Sequence, residues 1–104
     1  MTRRRLPNKR PGFNIEIAAD GVAAIATINA FPDGRPGEVF LETGKPGSTI
    51  DLIGRDAAVL TSLLLQHDVP AAEIAGSLAR LEDGEPATIL GRVADLAAMM
   101  EAAI

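Results

Sequence analysis

The hydrophobic period of this chain changes once, and that change limits what it can fold into. Before the Thr43 to Ser48 loop the chain reads as strands, with alternation clearest from Phe13 to Ile17; after Ser48 apolar residues recur at every third or fourth position. Period two marks a half-buried strand and the longer period an amphipathic helix. Phe13, Ile15 and Ile17 alternate with Asn14 and Glu16, which predicts a strand. Asp20-Gly21 follows, a pair that tolerates the positive φ of a two-residue hairpin turn. Val22 to Ala30 predicts the return strand. A two-residue turn sets the register: Ile17 faces Ala24, Ile15 faces Ala26 and Phe13 faces Ile28. The opposite face pairs Glu16 with Ile25 and Asn14 with Thr27 and is more polar. Phe31 to Gly37 is a Pro/Gly turn cluster. Glu38 to Glu42 predicts a third short strand, with Phe40 on the face opposite Val39 and Leu41.

The helical part begins after a second Gly/Pro loop, Thr43 to Ser48. Ser48 is a suitable N-cap, and Asp51 favours the positive end of a helix. Ile53, Ala57, Leu60 and Leu64 form a stripe, widened by Leu52, Val59 and Leu63, which predicts a central, well-buried helix. It stops at His67-Asp68. Pro70 suits the first turn of a second helix, with Ile74, Leu78 and Leu81 on its apolar face. A break at Glu82 to Pro86 precedes a closing helix marked by Val93, Leu96, Ala97, Met100 and Ile104. Three hairpin-linked strands followed by three helices give an α+β class: a three-stranded antiparallel sheet with the helices packed on one face.

Length and composition exclude several kinds of chemistry. The chain has 104 residues, enough for one core but not for a catalytic barrel. It has no Cys, so thiolate metal sites, thiol redox work and a Cys nucleophile are excluded. A single His excludes a His-based metal cluster within one chain. No apolar run approaches the ~20 residues of a membrane span. Basic residues open the chain without the apolar segment of a signal peptide. The expectation is a cytoplasmic protein with no membrane contact, no metal and no cofactor.

Charge is unevenly spread. Arg3, Arg4, Arg5, Lys9 and Arg10 supply five of the ten basic residues, and no acid precedes Glu16. The remaining five bases face fourteen acids, so an acidic body carries a basic N-terminal arm. Residues 1–12 are expected as a flexible arm and residues 13–104 as a single domain. The arm is a candidate hook for a polyanion; the alternative is a tail that folds back on its own acidic body.

Other candidates are few. Lys45, Gly47 and Ser48 link a strand to a helix N-terminus and could cradle an anion, although the loop lacks the Walker order. His67 reads as a helix C-terminal group rather than a general base. The acids Asp51, Asp56, Glu73, Glu82, Asp83 and Glu85 read as caps and solvated surface. The spacing around Val69 suggests a helix-turn-helix, but Ala71 to Leu81 offers little to a base edge. An αα-hairpin explains that spacing better.

The motifs together resemble a known family. Asp33-Gly34-Arg35-Pro36, Glu38-Val39-Phe40-Leu41, Gly44-Lys45-Pro46-Gly47-Ser48, the Ala/Leu-rich helix ending at Gln66, Val69-Pro70 and Ile74 to Leu78 are similar to the TSCPD domain. That domain is a C-terminal appendage of cobalamin-dependent ribonucleotide reductases, and small free-standing relatives exist. The resemblance covers roughly residues 13–81. It implies an accessory role, because the family's radical chemistry needs a separate barrel with cysteines. The Cys-containing motif that names the family is also missing. The expectation is a non-catalytic interaction module that binds a protein partner or itself. The alternative is a nucleic-acid- or nucleotide-associated module using the arm.

Overall fold

The computed structural model describes residues 2–19 and 21–104. The sheet comes first: β1 (Gly12–Ala19), β2 (Val22–Ala30) and β3 (Pro36–Thr43), in the order β1-β2-β3 and antiparallel throughout. Three helices follow: α1 (Thr49–Gln66), α2 (Ala71–Ser77) and α3 (Ile89–Ala102). The α+β expectation holds in order and class.

The hairpin register is the expected one. Ile17 pairs with Ala24, Ile15 with Ala26 and Phe13 with Ile28. Asp20 lies outside the described residues. Gly21 has a φ of 72°, the left-handed region that a tight hairpin demands and a side chain resists. β3 is longer than the five residues expected. It begins at Pro36, where a missing N–H costs least, and its register shifts against β2 at Asn29/Ala30.

The inner face of the sheet carries Ile17, Ala24, Ala26, Ile28, Val39 and Leu41, all buried. α3 lies over it with Val93, Ala94 and Ala97 buried and Leu96 and Met100 packed alongside. Thr88 caps α3, its hydroxyl accepting from the Gly91 N–H at 3.0 Å. Ile104, placed on the apolar face of this helix by its spacing, lies past the helix end and is exposed. α2 is shorter than expected. Gly76 and Ser77 are weak helix formers, Leu78 is already extended, and Leu81 is exposed.

α1 departs furthest from the expectation. Leu52, Ile53, Val59, Leu60 and Leu64 are exposed, and Asp51, Ala58, Thr61, Leu65 and Gln66 are buried. The helix has the expected place in the chain but is turned about its axis, its apolar stripe outward.

Candidate interaction surface

The inward face of α1 explains that rotation. β3 is an edge strand, and its backbone groups that point away from β2 need partners. α1 runs along this edge and supplies them. The Ser62 hydroxyl accepts from the Val39 N–H at 2.8 Å, and its single proton has the Ala58 carbonyl at 2.8 Å and the Val39 carbonyl at 3.1 Å within reach. Gln66 Nε2 donates to the Gly37 carbonyl at 3.0 Å. Asp51 Oδ1 accepts from the Thr43 N–H at 3.2 Å. Three polar side chains spaced along one helix face thus complete three positions of the strand. An unsatisfied buried N–H or carbonyl costs about 1–3 kcal/mol, so hydrogen-bonding need, not hydrophobicity, chooses which face turns in. It also closes one of the two edges that a three-stranded sheet would leave open.

The candidate anion loop is filled from within. The Gly47 N–H donates to Asp51 Oδ2 at 3.0 Å, and Arg55 Nε lies 3.1 Å from the same oxygen. The Thr43 hydroxyl lies 3.3 Å from Oδ1. Ser48 caps α1, its hydroxyl accepting from the Asp51 N–H at 3.2 Å. The Asp51 carboxylate therefore sits where an external oxyanion would. Its pKa is held below the ordinary carboxylate value, first by the Gly47 N–H and then by the Thr43 and Arg55 contacts, against an opposing push from burial. Lys45 is exposed and stands apart from this network.

The outward face of α1 is apolar almost from end to end. Ile50, Leu52, Ile53, Val59, Leu60 and Leu64 are all open, Ile53 and Leu60 at 64% and 63% exposure, whereas Asp51 is at 2%. Arg55 is tied to Asp51, which leaves Asp56 as the charge on this side. Beside Ile50 and Ile53 lies an apolar groove of about 330 Å³ between α1 and the start of α3, with Leu41, Ile89 and Leu90 in its walls. The outer face of the sheet is more mixed. Ile25 and Phe40 are exposed there, but Glu16 and Glu42 flank Ile25, and the Thr27 hydroxyl donates to Asn14 Oδ1 at 2.6 Å.

Comparison with known proteins places this geometry. The profile of the TSCPD domain matches residues 6–102. The chain belongs to the TSCPD domain family. It is 38% identical over 68 residues to the vitamin B12-dependent ribonucleotide reductase of Streptantibioticus cattleyicolor, a match covering 65% of this chain and 11% of that protein. With the enzyme of the same name from Streptomyces coelicolor the identity is 38% over 68 residues, covering 65% of this chain and 7% of that one. With that of Agrobacterium fabrum it is 34% over 71 residues, covering 68% and 6%. The chain thus spans only about a tenth or less of the length of these relatives. No solved structure matches it.

The TSCPD profile starts inside the basic arm. Residues 2–11 form no helix or strand, yet they lie along the body. The Arg4 N–H donates to the Gln66 carbonyl at 2.6 Å, and Arg3 Nε donates to the Gln66 side chain. The Arg4 guanidinium stacks over Phe31, 4.0 Å from the ring centroid. Arg10 pairs with Glu38. Among the described residues Arg5 and Lys9 make no ion pair. Three of the five arm bases are thus spent within the TSCPD domain itself, two of them at the C-terminal end of α1.

The remaining polar candidates are structural. His67 Nδ1 lies 2.8 Å from the Leu63 carbonyl oxygen, which can only accept. Arg80 binds Asp95 and the carbonyls of Ala75 and Gly84, and so ties the loop after α2 to α3. Among the described residues no group of three or more His, Cys, Asp or Glu could hold a metal ion. No described helix is long and apolar enough to cross a membrane. Sequence reading missed the roles of Ser62 and Gln66. The available signal was Thr61, Ser62 and Gln66 interrupting a Leu-rich helix on a single face.

Proposed function

We propose that this TSCPD domain is a non-catalytic interaction module that binds a protein surface through the outward face of α1. The observation that carries the reading is the rotation of α1. Fully burying a Val, Leu or Ile side chain is worth about 1.5–3 kcal/mol, so six open ones leave a large gain to be made by contact. A contiguous exposed apolar patch of this kind marks an interaction site. The non-catalytic part rests on how the reactive groups are used. Asp51, the buried carboxylate, is consumed by structural hydrogen bonds, and the His67 ring is tied to its own helix. A polyanion partner is less well supported, because Arg3, Arg4 and Arg10 already have partners within the chain.

Side-chain footprinting tests the reading. Ile53, Leu60 and Leu64 should label readily in dilute purified chain and become protected in extract of the native host, while Ile25 and Phe40 label in both. Equal labelling of α1 under both conditions counts against it.

A further inference from the structure

The open face of α1 has the spacing of a helix-pairing seam. Ile50, Ile53, Ala57, Leu60 and Leu64 follow one another at intervals of three, four, three and four. That is the a/d pattern by which two helices interlock along their length. The residues one position before or after most of the seam positions, among them Asp51, Ala58 and Leu65, face the TSCPD domain's own core. One face of the helix therefore packs on β3, and the opposite face is open in the single chain.

We propose that a second copy of this chain covers α1, the two helices packing antiparallel about a two-fold axis. This rests on the reading of α1 as the contact face. A two-fold contact uses the same patch on both partners, so the patch must complement itself. The seam does. In the antiparallel register that sets Ala57 opposite the second copy's Leu60, Ile53 lies opposite its Leu64, and the symmetry repeats both pairings in reverse. Small meets large at the centre, and the helices can approach closely there. Charge agrees. The chain carries a formal net charge of −4, yet Asp56 is the free charge beside the seam, so two acidic bodies meet where least repulsion arises.

Area also fits. The open half of α1 is about 27 Å long on a cylinder about 10 Å across, or about 400 Å². A stable interface takes about 800 Å² per partner. The groove beside Ile50 and Ile53 supplies further apolar surface, at the end where an antiparallel partner brings its Leu64 and the residues after it.

Sedimentation equilibrium from low to high micromolar concentration tests this on the full chain. The expected result is a reversible dimer. Leu60→Glu should weaken it about a hundredfold or more, since each copy would bring a charge into an apolar seam. Because Leu60 is exposed in the single chain, circular dichroism of the variant should match wild type. Ile25→Glu, on the outer face of the sheet, should leave the dimer intact. A wild-type chain that stays monomeric throughout overturns the proposal, as does a dimer lost in Ile25→Glu and kept in Leu60→Glu. Footprinting separates this failure from failure of the broader reading. A monomer whose α1 is still protected in extract loses the second copy but keeps the contact face; a monomer without such protection loses both.

Discussion

α1 and α3 are both Ala- and Leu-rich helices beside the same sheet, and they are used in opposite ways. α3 turns its apolar stripe inward, with Val93, Ala94 and Ala97 buried, as periodicity expects, while its polar residues Arg92, Asp95 and Glu101 are half-buried and Met99 is exposed. α1 buries Asp51, Thr61 and Gln66 and exposes Ile53, Leu60 and Leu64. The difference lies in what each helix packs against. α3 lies over the face of the sheet, a surface of side chains that asks only for apolar volume. α1 lies along the edge of β3, a row of backbone N–H and carbonyl groups that must be hydrogen-bonded. A helix on a strand edge is oriented by its polar residues, and its apolar stripe is left for another surface.

The contrast can be broken most severely in α3. Val93 is fully buried, so Val93→Asp places a charge in the apolar core. It should remove several kcal/mol, comparable to the whole stability of a small domain (about 5–15 kcal/mol), and leave the chain largely unfolded by circular dichroism. On the inner face of α1, Asp51→Asn should destabilise in a pH-dependent way. The pKa of Asp51 is lowered in the folded state, so the stability it contributes is present above the unfolded value of about 3.9 and lost as the pH falls through the folded value. The gap in urea midpoint between wild type and Asp51→Asn should therefore be widest near neutrality and narrow in acid.

Ser62→Ala sharpens the edge-capping account. It leaves the Val39 N–H without its partner and should cost about 1–3 kcal/mol by urea denaturation. A cost near zero would mean that the edge of β3 does not orient α1. The smallest effect belongs to the outer face. Measured where the chain is monomeric, Leu60→Glu should change stability by no more than about 0.5 kcal/mol. A large loss there would place Leu60 in the core and return α1 to the orientation that its periodicity predicts.

Local physics was legible in the sequence. The switch from period two to the helical period, the positive φ at Gly21, the pairing of Ile15 with Ala26 and the Ser48 cap depend on neighbours in the chain, and each is found where those neighbours place it. The motif series around Glu38-Val39-Phe40-Leu41 and Gly44 to Ser48 likewise carried the family. Two things could not be read. The Gly47 N–H of the Gly44–Ser48 loop is taken by Asp51, which the pattern marks only as a helix-start acid. The rotation of α1 was also hidden, because a stripe of Ile and Leu states which face is apolar but not which face is covered. That depends on where the helix lies against the sheet. Only the tertiary structure sets α1 on the β3 edge, where satisfying backbone hydrogen bonds outweighs burying the stripe.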